Sequence, residues 1–320
     1  MPVAARRRAL LGAATALAVA GVAGAATPAD EPCFGAAARD RVHPCENPAL
    51  RTTVYPTPRQ ARWFPEAPCA RVSRSPAQPC EFGVRGPEAT EAVALIGDSH
   101  AVHWRAAVAV AAQREGWRAV SFTRVGCPLS TTTKLLGRHA EAACRRWQRR
   151  VLLWLARRPQ FRTVIVSQLA GSAAVRGAGD QFELQVRGFA EAWERLPPAV
   201  ERVVVIRDTP RRLKGAPACV MRAARAGREP GRRCAAPRGR VLVDDPAAVA
   251  AQRSRSRRVE LVDMTRWFCD RTRCFPVVGG ALVHQDRTHQ TAVWNATLGA
   301  YLLRELRRGA RARAPSRAAR

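Results

Sequence analysis

The stretch Ala92-Val93-Ala94-Leu95-Ile96-Gly97-Asp98-Ser99-His100 decides the fold of this chain. An unbroken apolar run ending in Gly-Asp-Ser reads as a strand buried on both faces that enters a turn directly. Residues 101–114 follow with helical composition. The alternation then continues, predicting strands at 117–122, 163–167, 202–206 and 259–262 and helices over 140–157, 181–196 and 290–306. Strands alternating with helices imply a three-layer α/β/α sandwich around a mainly parallel sheet. Such sheets place ligands at the carboxyl ends of their strands.

Upstream, residues 26–90 are rich in Pro, Arg and Cys with little periodicity, and are expected to form an irregular lead-in segment. The sandwich is expected over 91–306. Within it, the Arg-rich residues 209–258 break the rhythm and read as a surface insert, and 307–320 reads as a disordered basic tail. At the other end, Arg6, Arg7 and Arg8 precede an apolar run and the small-x-small site Ala23-Gly24-Ala25, the pattern of a signal peptide over 1–25. The run is shorter than the roughly 20 residues a membrane span needs. The expected location is therefore secreted or extracytoplasmic, with membrane contact only during export. No acyl-transferring membrane segment is recognised in the sequence.

Ten cysteines fall into local pairs, Cys33/Cys45, Cys69/Cys80, Cys127/Cys144, Cys219/Cys234 and Cys269/Cys274. In an exported chain this reads as a disulfide set stapling the lead-in segment and the loops, though sequence leaves the connectivity open. No CxxC knuckle points to zinc. The net charge of +29 is almost all arginine, with Lys134 and Lys214 the only lysines. An Arg- and Ala-rich composition with a solvated face is the leading account of this charge, and a basic surface that attracts anionic glycopolymers of the cell envelope is the alternative. No arginine cluster alternates with aromatics as a single-strand nucleic-acid face needs, so nucleic acid is not an expected partner.

Two short motifs can carry chemistry. In Gly97-Asp98-Ser99-His100 the serine falls on the turn from strand to helix, where helix N–H groups stabilise a developing oxyanion. Gly-Asp-Ser also makes a plain turn and helix cap. In Asp286-Arg287-Thr288-His289 the spacing sets carboxylate and imidazole side by side, leaving one ring nitrogen for a hydroxyl proton. It reads equally as a helix-entry turn capped by Asp286. His100, His103, His284, Asp286 and His289 can also be drawn as a metal cluster, but nothing fixes their distances, and neither a metal nor a cofactor is expected.

Together the two motifs resemble SGNH hydrolases, and more narrowly the extracytoplasmic SGNH domains attached to acyltransferase 3 membrane proteins, which modify cell-surface glycans. The resemblance rests on Leu95 to Ala101, Gly126-Cys127-Pro128, Asp208-Thr209-Pro210, the Cys269 and Cys274 pair, and Asp286 to His289, over roughly 69–305. It implies an SGNH/flavodoxin-like sandwich, Ser99 as nucleophile, His289 as general base and Asp286 orienting it. It also implies oxyanion donors at the N–H groups of Ser99 and Gly126. The asparagine usual in such enzymes is missing after Val166-Ser167, leaving Gln168 as the candidate substitute donor. Gln290 stands where an apolar residue is usual.

The expected function is therefore an esterase or O-acyltransferase acting on acyl esters, acetyl foremost, of cell-surface glycans or on a small ester. A separate membrane acyltransferase is a possible donor. Its rivals are a non-catalytic glycan-binding relative and a metal-dependent hydrolase.

Overall fold

The computed structural model describes residues 27–313, apart from 64, 73, 74, 172 and 173. The expected leader over 1–25 and residues 314–320 of the expected tail lie outside the described residues.

Strand β3 (Glu91–Gly97) shows why the sheet forms. Val93 and Leu95 enter one apolar core while Ala92, Ala94 and Ile96 enter the other, so both faces of the strand are dry. With β1 (Ala70–Arg71), β2 (Cys80–Gly83), β4 (Trp117–Thr123), β5 (Phe161–Ser167), β6 (Arg202–Ile206) and β7 (Val259–Val262) it forms one seven-stranded sheet, ordered β1-β2-β4-β3-β5-β6-β7. β4, β3, β5, β6 and β7 run parallel. The chain winds outward from β3 to β4, then returns past it to β5. This reversal opens a crevice at the carboxyl ends of β3 and β5.

Helix α1 (Ser99–Glu115) packs on one face, and α2 (Arg138–Ala156) and α3 (Gln181–Glu194) cover the other. Trp104 and Trp193, each at most 1% exposed, anchor the two layers. Truncating such a side chain to Ala costs about 3–5 kcal/mol. The sandwich expected from the strand and helix pattern is the observed architecture. All ten cysteines form the five local disulfides.

Four expectations need correction. The lead-in segment is not merely irregular: β1 and β2 extend the sheet antiparallel to β4, and Phe34, Ala36 and Leu50 enter the main core. Short apolar pieces between prolines hide this in sequence, because neighbours distant in the chain complete the packing. The 209–258 segment contains α4 (Ala216–Arg225) and α5 (Pro246–Arg253), and α5 is the crossover between parallel β6 and β7. Ala247, Ala248, Ala250 and Ala251 are buried on it, and alanines give little hydrophobic signal in an Arg-rich stretch.

The closing helix starts later than expected and is split into α6 (Ala292–Thr297) and α7 (Gly299–Arg313). Thr291 sets the start, because its hydroxyl accepts the Trp294 N–H as a cap. Arg307 to Arg313 is helical, not a disordered tail, and Arg307, Arg308 and Arg313 pair with Glu115, Glu305 and Glu260.

Candidate active site

Ser99 is the first residue of α1, and the turn that presents it is held by two features of the sequence. Gly97 leaves room for β5, since a Cβ there would sit 1.8 Å from the Ser167 carbonyl oxygen. Asp98 caps α1 by accepting the His100 N–H at 2.9 Å. The same carboxylate accepts the Leu169 N–H at 3.1 Å and faces the Lys134 ammonium at 3.5 Å. The ends of β3 and β5 are thus joined through one buried acid.

Across the crevice, Asp286 closes a turn on itself. Its Oδ1 accepts the N–H groups of Thr288 and His289 at 2.9 and 2.8 Å. Its Oδ2 accepts from His289 Nδ1 at 2.7 Å, and His289 Nε2 reaches the Ser99 hydroxyl at 2.8 Å. Partial burial pushes the Asp286 pKa up, but hydrogen bonds from the His289 ring and from two backbone N–H groups outweigh it and hold the carboxyl well below its ordinary range. Ser99, Asp286 and His289, singled out in the sequence, therefore converge. They border a 310 Å³ cavity whose wall includes Pro65, Glu66 and Ala67 of the lead-in segment. Buried Arg105 holds that wall by donating to the Ala67 carbonyl at 3.2 Å.

The other two candidates sit less simply. Gly126 occupies the left-handed position, φ 68°, of a turn closed by the Cys127 N–H on the Arg124 carbonyl, where a side chain is disfavoured. Its neighbour Val125 lines the cavity, whereas Gly126 itself does not. Cys127 and Cys144 tie this turn to α2. Gln168 follows β5 and is buried, and neither end of its amide has a partner among the described residues.

The sequence reading named His100, Asp208 and Gln290 without the roles they take around the site, and did not single out Asp245 or Arg212. His100 Nδ1 donates to Asp208 at 2.5 Å, and the second Asp208 oxygen accepts the Ala170 N–H at 2.8 Å. Burial works against charge on His100, but Asp208 and then Asp98 more than offset it and raise its pKa. Asp245, which accepts the Asp208 N–H, is pushed up to about 6 by burial and by Asp208. Arg212 donates to the Asp286 carbonyl at 2.6 Å, so the 209–258 segment braces the Asp286 turn. Finally, Gln290 is not a packing defect. It is buried with its N–H on His103 Nδ1 at 3.3 Å and its amide against His103 and Asn295.

With Nδ1 accepting, neutral His103 carries its proton on Nε2. The Gln290 amide oxygen accepts from the Asn295 NH₂ at 2.7 Å. Burial, reinforced by His100, His289 and His284, keeps the His103 pKa well below its ordinary value. The histidines of the metal alternative thus each have a protein partner, His284 through its Nε2 on the Pro210 carbonyl at 2.6 Å. Among the described residues no group of three His, Cys, Asp or Glu is arranged to hold a metal ion.

One signal for the buried network was present: Lys134 is one of two lysines in a chain whose composition favours arginine throughout. Its ammonium is buried and faces the Asp98 carboxylate at 3.5 Å.

A doubly wound sheet whose crevice aligns hydroxyl, imidazole and carboxylate defines a class, that of acyl-ester hydrolases and acyltransferases. Within it, the chain belongs to the family of SGNH domains fused to AT3 domains, whose model matches residues 67–304. Its fold is similar to that of the periplasmic domain of a Salmonella ser. Paratyphi A lipopolysaccharide acetyltransferase. The two share 12% identity and a TM-score of 0.54, over 68% of this chain and 84% of that one. No curated protein sequence matches the chain.

Proposed function

We propose that the protein is an extracytoplasmic serine esterase or O-acyltransferase acting on acyl esters of cell-surface glycans. The observation that carries this reading is the 2.8 Å contact between Ser99 Oγ and His289 Nε2, continued at 2.7 Å to Asp286. Ser99 Oγ attacks the ester carbonyl carbon as His289 Nε2 takes its proton, and Asp286 stabilises the imidazolium that forms. The oxyanion is received by the N–H groups of Ser99 and Gly126, with the Gln168 amide supplying the donor that the missing asparagine would give. His289 returns its proton to the departing alcohol. An acyl-serine remains, and water or a sugar hydroxyl then takes the acyl group. Acetyl is the proposed acyl group, in keeping with the acetyltransferase named for the structural neighbour. A membrane acyltransferase is the proposed donor, in keeping with the AT3 fusion in the family. The disulfides support a location outside the reducing cytoplasm.

The test is treatment of the protein with an activated phosphonate, followed by intact mass and peptide mapping. One adduct at Ser99, absent in His289→Ala, is expected. An unmodified Ser99 under conditions that label a known serine esterase overturns the catalytic reading.

A further inference from the structure

The outer face of α2 carries a charge distribution that catalysis does not use. At about 100° per residue, Arg145, Arg146, Arg149, Arg150, Leu153 and Arg157 project within a single arc of about 140° over about 18 Å of helix axis. All six are exposed, and Leu153, 59% exposed, stands near the middle of the arc. The only acid on the helix, Glu141, is buried and taken by Arg176. No ion pair involves any of these five arginines among the described residues. The contrast with α7 is direct, because Arg307, Arg308 and Arg313 there all have carboxylate partners.

A second feature lies beside the arc. Arg150, Leu153, Trp154, Arg157 and Arg158 border a 400 Å³ cavity with Pro76, and the Arg158 guanidinium stacks 4.2 Å from the Trp154 ring centroid. Guanidinium groups around an apolar floor suit a phosphate joined to hydrocarbon. A compositional excess of arginine spreads charge; it does not concentrate unpaired arginines around an exposed leucine.

We infer that the α2 face is a docking surface for the anionic headgroups of a lipid bilayer. Charge complementarity favours a polyanion of any kind, but Leu153 and the apolar cavity floor favour lipid over a soluble glycan polymer. Membrane contact thus goes beyond the export step expected from the sequence. The consequence for the site is mechanical. α2 is bound to the Val125–Gly126 turn through Cys127–Cys144, and Gln148 donates to the carbonyls of Pro128 and Ser130 at 2.7 and 2.9 Å. A docked α2 holds the cavity mouth at a fixed place relative to the membrane.

The test uses the full chain carrying Leu153→Cys, labelled with a polarity-sensitive fluorophore. Among the described residues all native cysteines are in disulfides, so the introduced thiol is the one labelled. Phosphatidylglycerol vesicles should shift its emission to the blue, and phosphatidylcholine vesicles should not. Adding R146Q, R149Q, R150Q and R157Q should weaken the apparent partition by up to about a thousandfold. Equal charge removal at exposed Arg59, Arg85, Arg255 and Arg257 should change it less than about threefold. The local probe separates this contact from any insertion by the leader. Three results overturn the proposal: no shift with anionic vesicles, equal loss in the two charge variants, or the same shift with soluble polyphosphate. Hydrolysis of a soluble ester by the α2 variant should be unchanged, so failure here is distinct from failure of the catalytic reading.

Discussion

Two histidine–aspartate pairs lie side by side in this protein, and they do different things with the same chemistry. In His289–Asp286 the histidine is 28% and the aspartate 53% exposed, and the free ring nitrogen meets a hydroxyl. In His100–Asp208 the exposures are 1% and 2%, and the free ring nitrogen meets no partner among the described residues. The ring centroids are 5.2 Å apart. In the proposed mechanism a proton passes between the first pair and a substrate at the cavity. In the second it is trapped, and the pair serves as a buried strut linking the start of α1 to the residues after β5 and β6. The proposed base is thus set apart not by its carboxylate partner, which both histidines have, but by access to a third group.

The largest effect should separate the pairs through activity. Ser99→Ala and His289→Ala are each expected to lower hydrolysis of a soluble activated ester by about 10⁴-fold or more, and Asp286→Asn by about 10³- to 10⁴-fold. The urea midpoints of all three should stay near that of the parent, because these residues are partly exposed. Unchanged turnover in His289→Ala would erase the distinction drawn above.

Asp208→Ala should do the converse. It leaves the His100 ring and the Ala170 N–H buried without their acceptor, which costs about 3–5 kcal/mol. Urea unfolding should show that loss, while Asp286→Ala, which removes a half-exposed acceptor of two backbone N–H groups, loses about 1–2 kcal/mol. Equal losses would mean that burial does not distinguish the two pairs.

The difference between the pairs also explains what could be read in advance. Asp286 and His289 are three residues apart, so a local spacing reveals them, and the Gly-Asp-Ser turn is one unbroken string. His100 and Asp208 are separated by 108 residues and meet only because β3 and β6 lie on either side of β5. Arg212 and Arg105 were invisible for another reason: each acts by donating to a backbone carbonyl, and in a chain with so many arginines neither stands out. The parallel strands were legible because each is an unbroken apolar run. β1 and β2 were not, since two and four residues at a sheet edge carry no periodicity of their own.

A third histidine sharpens the comparison through pH. Burial lowers the His284 pKa to about 4, while its bond to the Pro210 carbonyl works the other way. Because its folded pKa is depressed, the unfolded chain binds the proton more readily between about pH 6.5 and 4. Its contribution is present above pH 6.5 and lost as pH falls toward 4, by about 3 kcal/mol in all. His284→Gln keeps a donor for Pro210 but cannot titrate. Its stability should therefore fall less steeply than the parent's across that window, measured by urea unfolding at fixed pH steps. His100 has the opposite sign. Its pKa is raised, so its contribution is complete below the ordinary histidine value and fades as pH climbs through the higher one. Parallel pH curves for His284→Gln and the parent would place that histidine in a wetter setting than the fold gives it.

The smallest expected effect concerns Arg212, which touches the reactive pair only through the main chain. Its Nε holds the Asp286 carbonyl at 2.6 Å, and its own N–H donates to the Arg287 carbonyl at 2.8 Å. Removing the side chain leaves the second bond and loses the first, a charge-assisted bond of about 1.5–3 kcal/mol in an exposed setting that screens it. The Asp286 turn still closes on itself through Thr288 and His289, so it loosens without unfolding. Arg212→Ala should therefore lower kcat by about tenfold, leave KM nearly unchanged and barely move the urea midpoint. Arg212→Lys should recover part of the loss, because an ammonium can reach the same carbonyl but cannot hold it in a fixed plane. A rise in KM with kcat intact would instead make Arg212 a substrate contact, and the 209–258 segment part of the binding surface rather than a brace behind it.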